Sequence, residues 1–280
     1  MSEKLLFEGK LEGIFDTHAH IYDDKYESQG LSAQDILVNA RDAGTSRILI
    51  PGDSVASSQK ALEYVHEFSG KFGVELYSSC GVHPHEAKDY DSNASEYIID
   101  CLSSVGDKVR ALGEIGLDYH YDLSPRDVQR EVFTKQLEIA RELEVPIILH
   151  EREATGDCLE IIKKFFSRGS SKISGVCHCC SCSLEATKDL LSMGFFLGFD
   201  GPITYKNNKK SFEVISYCPL DRIVVETDSP YLTPEPNRGK INEPSMVPFV
   251  VATIAGIKNI SLEDTCKITA SNGCTLFGID

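Results

Sequence analysis

Six side chains able to ligate a divalent cation, His18, His20, Glu114, His150, His178 and Asp228, each stand just past a short apolar run. The runs are Gly13-Ile14-Phe15, Val109 to Leu112, Pro146 to Leu149, Gly175-Val176 and Arg222 to Val225, with His18 and His20 sharing the first. Imidazoles and carboxylates gathered on a metal ion activate water and polarise the bond under attack, which is hydrolytic chemistry. Short apolar runs read as buried strands. Ligands so far apart in sequence meet only if those strands finish together, as they do at the active-site face of a parallel (β/α)8 TIM barrel. The pattern predicts a metal-dependent hydrolase.

The intervening segments supply the rest of such a barrel. Strands are expected at Ile14 to His18, Arg47 to Ile50, Leu76 to Gly81, around Val109 to Leu112 leading to Glu114, Val145 to Leu149 and Ile173 to Cys177. A seventh combines Phe195 to Gly198 with Ile203 to Tyr205, and the eighth is Ile223 to Val225. Helices are expected at Ser32 to Ala43, Ser57 to Phe68, Ala94 to Val105, Asp127 to Leu143, Asp157 to Phe166, Leu184 to Ser192, Ser245 to Ala255 and Ser261 to Phe277. In the first of these Ile36 and Leu37 read as inward, and Asp35, Ala40 and Arg41 as outward. The clearest is Asp127 to Leu143, where Val128, Val132, Phe133, Leu137, Ala140 and Leu143 recur at helical spacing. No GxGxxG or GxxxxGK(S/T) follows a strand, so no nucleotide cofactor is expected.

With 280 residues the chain can bury about three quarters of its unfolded surface. No linker, low-complexity tract or repeat divides it, so residues 1–280 read as one domain. Met1-Ser2-Glu3-Lys4 lacks the apolar stretch of a secretory signal. The longest nearly apolar stretch, Val247 to Ile257, has 11 residues, too few to cross a bilayer. The expectation is a cytoplasmic, monomeric enzyme without a membrane partner, with the nucleus left open. Ten cysteines are few for a disulfide scaffold of this length, and reduced thiols are expected. The net charge of −15 argues against a broad electrostatic nucleic-acid surface, so affinity for phosphate must be local. Bound divalent cations can supply it.

Each candidate ligand taken singly has a plainer reading. His18 and His20 flank one residue and point to the same side of an extended chain, yet one such pair also suits a solvated loop. Glu114 lies in Gly113-Glu114-Ile115-Gly116-Leu117-Asp118 and can bridge two cations, or pair with Arg110 or Arg152. His150 and His178 end apolar runs, where an imidazole is hydrogen-bonded or metal-bound. Asp228, before Ser229-Pro230, can ligate a metal, accept a proton or simply form a turn. His66 and His120 read as surface or packing residues.

Several stretches together resemble the TatD family of metal-dependent deoxyribonucleases over essentially the whole chain. They are Asp16-Thr17-His18-Ala19-His20, Gly81-Val82-His83-Pro84-His85, Gly113 to Tyr119, Gln136-Leu137 through His150-Glu151-Arg152, Glu226 to Leu232, and Asn237-Arg238-Gly239-Lys240 with Asn242-Glu243-Pro244. The resemblance implies two divalent metal ions, Mg, Mn or Zn, with His18, His20 and Asp228 on one, His150 and His178 on the other, and Glu114 bridging. Glu114 and Asp228 are the expected catalytic carboxylates. The implied activity is metal-dependent DNA phosphodiester hydrolysis, with 3′-to-5′ exonuclease action, DNA repair and DNA breakdown as family roles.

His83, His85, Arg152, Tyr205, Lys206 and Arg238 are candidates to hold the phosphates of a DNA substrate. His83 and His85 also suit donors that orient a ligand. A second function class is a binuclear hydrolase of small esters, amides or lactones, and a third is a non-catalytic metal or redox module. The chain departs from the family's usual His-Cys-Phe-Ser-Gly at His178-Cys179-Cys180-Ser181-Cys182. With Cys177, these thiols form overlapping CxxC spacings that suit a structural zinc, a redox switch or inert packing.

Overall fold

In the computed structural model, which describes residues 11–104, 108–166 and 174–280, eight parallel strands pair in sequence order and β8 closes back on β1. The strands are β1 Ile14–Asp16, β2 Thr45–Ile50, β3 Glu75–Cys80, β4 Val109–Asp118, β5 Ile147–Arg152, β6 Gly175–Cys177, β7 Phe196–Phe199 and β8 Ile223–Val225. The helices are α1 Asp24–Ser28, α2 Ala33–Asp42, α3 Val55–Phe68, α4 Ser92–Ser104, α5 Arg126–Leu143, α6 Thr155–Ile162, α7 Leu184–Ser192, α8 Lys209–Tyr217, α9 Val247–Lys258 and α10 Leu262–Phe277. This is the (β/α)8 TIM barrel that the strand–helix alternation predicts.

Phe15, Leu49, Tyr77, Ala111, Ile148, Val176, Phe196 and Val224 pack in one apolar cluster, and each comes from a different strand. Only the barrel interior lets all eight strands contribute to one cluster. The same cluster takes in Leu276, Phe277 and Ile279 from the chain's end. Arg110 donates to the Gly278 carbonyl at 3.1 Å and Ser174 to the Leu276 carbonyl at 3.4 Å, so this segment plugs the end where β4 and β6 begin. Side chains alternate along a strand, so two residues beyond the interior layer point inward again, toward the other mouth. Those positions include His150, His178 and Glu226.

The helices start where the sequence provides caps. Ser32 and Asp35 form a capping box on α2, and Ser54 with Ser57 forms one on α3. Helix α5 ends at Glu144, whose φ of 53° is left-handed, and Pro146 follows. Its buried face includes Val132, Phe133, Leu137 and Ala140, as its periodicity predicts, together with Gln129 and Gln136.

Four details differ from the sequence reading. Ala40 is fully buried, because it lies one turn beyond Ile36 on the same face of α2. Ile203 to Tyr205 is not part of strand seven: a 3-10 turn, Gly201–Thr204, closes on a bond from the Thr204 hydroxyl to the Gly201 carbonyl at 2.6 Å. Glu114 and His150 lie inside β4 and β5 rather than beyond them, because those strands extend to Asp118 and Arg152. Helices α1 and α8 were not anticipated. Val105 and Ile173, assigned to a helix and a strand from sequence, lie outside the described residues.

Candidate metal centre

Strand β1 delivers His18 and His20 to the barrel mouth, and Asp16 fixes how. Its carboxylate is fully buried and accepts from the His18 N–H at 3.3 Å, the Thr227 N–H at 3.0 Å and the Thr227 hydroxyl at 2.7 Å. Burial pushes the Asp16 carboxyl up to about 8, against those hydrogen bonds. The bonds tie the exit of β1 to that of β8, and the Asp228 N–H donates to the His18 carbonyl at 2.9 Å. Asp228 is held at a φ of 53°, a left-handed conformation that costs a non-glycine residue about 1 kcal/mol or more and recurs at functional sites.

Glu114 enters from β4, where the pairing with β5 slips between Leu112 and Ile115. Such a slip re-aims a side chain. A Cβ on Gly116 would overlap the His150 carbonyl oxygen, so glycine there lets β4 and β5 approach at the site. Arg110 and Arg152 are both turned elsewhere, toward Gly278 and the Tyr121 ring.

All six side chains converge. His18 Nε2 and His20 Nε2 face each other at 3.2 Å, with Asp228 Oδ1 at 3.8 and 3.5 Å from them. Glu114 Oε2 lies 3.4 Å from His18 Nε2, while Oε1 lies 2.7 Å from His150 Nδ1 and 3.6 Å from His178 Nε2. The His18 and His178 rings stack at 3.7 Å. Donor atoms fall into overlapping triads, each within 4.8 Å: His18, His20 and Asp228; His18, Glu114 and His178; His83, Glu114 and His150. Two imidazole nitrogens aimed at each other beside a carboxylate make the donor set a divalent cation requires. The residues therefore fit bound metal.

Carboxylates outside the set orient the imidazoles. Asp118 Oδ2 lies 3.2 Å from His150 Nε2 and 2.9 Å from His85 Nε2, and Glu226 Oε1 lies 3.1 Å from His178 Nδ1. The contact to His178 is off-line for a hydrogen bond and acts as charge pairing. Carboxylates behind metal-binding imidazoles fix the ring and raise its basicity. Burial opposes charge on His150, yet Asp118 and Glu114 raise it to about 9. Burial likewise opposes ionisation of Glu114, but His178, His150 and His18 hold it well below its usual range. Burial and His178 push His18 down.

A barrel with this ligand pattern narrows the possibilities, and sequence comparison decides among them: the pattern of the family described as TatD related DNase matches residues 15–278, the whole span of the site. The chain belongs to the TatD family. It is 38% identical over 267 residues to the Bacillus subtilis (strain 168) protein named uncharacterized metal-dependent hydrolase YabD, covering 95% of this chain and 100% of that one. It is 31% identical over 252 residues to the Klebsiella pneumoniae (strain 342) 3'-5' ssDNA/RNA exonuclease TatD, covering 88% and 92%. The structure of YJJV, a TatD homologue from Escherichia coli K12, superposes with a TM-score of 0.84 at 25% identity, covering 95% of this chain and 98% of that one. As a TatD protein, the chain is a metal-dependent hydrolase.

In this TatD protein the expected phosphate contacts divide in two. His83 is buried, with Nε2 3.7 Å from Glu114 Oε1 and its ring 4.3 Å from that of His150. His85 sits behind it on Asp118. Arg152 lies 4.7 Å over Tyr121 and Arg238 4.2 Å over Tyr205, whose hydroxyl donates to the Thr233 carbonyl at 3.0 Å, while Lys206 is exposed in a groove with Asn208, Phe212 and Thr253, away from the imidazoles. His66 is exposed, and His120 pairs with Glu153 at 2.8 Å on the surface. Among the described residues no single helix is long and apolar enough to cross a membrane.

The sequence reading assigned no positioning role to Asp118 or to the two buried glutamines of α5. Gln129 Oε1 accepts from the Asp118 N–H at 2.9 Å and its Nε2 donates to the Asp118 carbonyl at 3.1 Å. Gln136 makes the same pair with Val82, at 2.8 and 2.9 Å. Seven residues apart, they lie on one face of α5 and hold the exits of β4 and β3. Polar residues at helical spacing within an apolar face were the signal.

Proposed function

We propose that this protein hydrolyses the phosphodiester bonds of single-stranded DNA from the 3′ end, with two divalent cations. His18, His20 and Asp228 hold one, His150 and His178 the other, and Glu114 bridges them. The observation that carries this reading is that the two oxygens of Glu114 face different imidazoles, Oε2 toward His18 at 3.4 Å and Oε1 toward His150 at 2.7 Å. A carboxylate has the lone pairs to serve two ions. When bound, two such ions would lower the pKa of water and stabilise the charge on the attacking and leaving oxygens of a phosphoryl transfer.

The residues around them supply the rest. Asp228 is ionised, because His20, His178 and His18 outweigh its burial, so Oδ1 can take the proton of the attacking water. His83 is neutral, pushed well down by burial and by His150. Its Nδ1 accepts from the His85 N–H at 3.1 Å, so its proton sits on Nε2, on the side of Glu114, as a donor for a phosphate oxygen.

Single-stranded substrate is favoured by the rim. Tyr121 is 53% exposed and Tyr231 41% exposed, among the few large apolar side chains left in solvent. They follow β4 and β8, which stand opposite each other in the eight-strand closure. Each edges against a histidine of the centre, Tyr121 on His85 at 5.5 Å and Tyr231 on His20 at 6.2 Å. Each also has a cation over its ring, Arg152 at 4.7 Å and Lys25 at 3.7 Å. Aromatic rings beside cations stack exposed bases and hold the adjoining phosphates. The name of the Klebsiella relative supports the same substrate and polarity.

The test is degradation of 3′-labelled and 5′-labelled single-stranded DNA by protein loaded with Mn, Mg or Zn, beside Glu114→Ala and a chelator control. Stepwise loss from the 3′ end that both controls abolish is expected. Absence of cleavage by the metal-loaded protein refutes the proposal.

A further inference from the structure

Ten cysteines are free, and most are scattered through the core. Three are not scattered. Cys177 closes β6, Cys180 lies in the loop beyond it and Cys182 precedes the cap of α7; their Sγ atoms all lie within 4.8 Å of one another and all three residues are buried. Cys179, in the middle of the CxxC spacings, is excluded from the group: it adopts a φ of 44° and its N–H donates to Glu226. The loop thus sends one cysteine toward the metal centre and gathers the other three on its far side, against α6 and α7.

A carboxylate lies beside the cluster. Glu151 Oε1 is anchored by the Ala154 N–H at 2.8 Å and the Thr155 hydroxyl at 2.9 Å, which leaves Oε2 facing Cys182 Sγ at 3.2 Å. The group therefore offers three sulfurs, with the Glu151 carboxylate beside Cys182 as the nearest oxygen to serve as the fourth ligand that tetrahedral zinc takes. Without metal, Cys177 is pushed well up by the Cys180 and Cys182 thiols and by burial. Against the Cys177 thiol, the Cys180 thiol and burial push Cys182 up to about 12, so a bound cation must displace their protons. Cys182 immediately precedes Ser183, the cap of the nine-residue α7, whose N-terminal dipole favours negative charge. The Lys210 ammonium donates to the Ser181 carbonyl at 2.6 Å, placing a cation on the same loop.

We propose that Cys177, Cys180 and Cys182 form a separate site for a thiophilic divalent cation, zinc being the natural occupant, with Glu151 turning in beside Cys182 as the fourth ligand. Binding exchanges three thiol protons, released to solvent, for three sulfur–metal bonds, and involves no redox change. The site clips the exit of β6, which carries His178, to the start of α7 and to β5, which carries His150. It is structural, and independent of the identity of the substrate.

Cobalt reports on it directly, because sulfur ligands give Co(II) an intense near-ultraviolet charge-transfer band that histidine and carboxylate ligands do not. Full-length protein under reducing conditions is titrated with Co(II), beside Cys180→Ser and beside Cys274→Ser, a cysteine outside the cluster. The expected result is a sulfur–cobalt band that saturates by three equivalents, since the histidine–carboxylate centre also takes cobalt, with an amplitude for one sulfur-bound ion per chain; it survives in Cys274→Ser and falls by a third or more in Cys180→Ser. Zinc-edge X-ray absorption of the unsubstituted protein reads the same question without a variant, and should show a sulfur shell. A titration without the band, a band unchanged in Cys180→Ser, or a zinc environment of nitrogen and oxygen alone overturns the proposal.

Discussion

Gln136→Met isolates the role of helix α5 in holding the metal centre's loops. The glutamine is fully buried and its side-chain amide both accepts from the Val82 N–H and donates to the Val82 carbonyl, at 2.8 and 2.9 Å. Methionine preserves the volume and removes both partners. Val82 is 4% exposed, so its two backbone groups lose their hydrogen bonds without gaining water. Each such orphan costs about 1–3 kcal/mol, which gives about 2–6 kcal/mol for the pair. Relaxation of the loop toward His85, which is more accessible, favours the lower half, about 3 kcal/mol. At roughly 2–4 °C per kcal/mol for a large domain, Tm should fall by about 6–12 °C. Urea unfolding followed by circular dichroism supplies the free energy, with Leu137→Met, a volume-conserving neighbour expected to cost less than about 1.5 kcal/mol, as control. A loss for Gln136→Met no larger than that of the control, with an unchanged denaturant slope, refutes the argument.

Other consequences follow from the same geometry. Glu226→Gln and Asp118→Asn remove the carboxylates behind His178 and His150, and isothermal titration should show metal affinity falling about 10–100-fold in each; unchanged affinity would assign those carboxylates to packing. Tyr121→Ala and Tyr231→Ala should each raise KM for single-stranded oligonucleotides by about 5–150-fold, the equivalent of about 1–3 kcal/mol of base stacking, while leaving turnover of an abasic phosphodiester unaltered. Metal at about 100 times its Kd should stabilise the fold by about 2.7 kcal/mol per site, and chelation should return Tm to the apo value. Ser54→Ala, which removes the cap of α3, should cost about 1 kcal/mol in thermal unfolding and leave activity intact.

The barrel was legible because each ligand stands close to an apolar strand, and strand alternation puts His150 and His178 on the interior side without further information. Glu114 was legible as a residue but not in its placement. The glycines that flank it look like a strand terminator, whereas here they allow β4 to run on beside β5 to Asp118. Ile203 to Tyr205 misled because its apolar and aromatic residues carry strand character; Pro202 and the tight turn at Gly201 override it. Helix α8 follows Asn207-Asn208, which reads as a loop until Asn208 is seen accepting from the Ser211 N–H as a cap. The second layer was hidden for a different reason. Asp16, Asp118, Gln129 and Gln136 act through backbone groups and rings contributed by distant strands, and no local spacing encodes those partners. The cysteine run announced itself, but which three thiols converge depends on the left-handed turn at Cys179.

The proposed centre has strand ends from around the barrel holding two cations on either side of Glu114. Anomalous diffraction from manganese-loaded crystals locates those cations without reference to activity. Two peaks about 3.5–4 Å apart are expected, one against His18, His20 and Asp228, the other against His150 and His178, with a Glu114 oxygen on each. A single peak, or two peaks with Glu114 turned away from both, would contradict this arrangement.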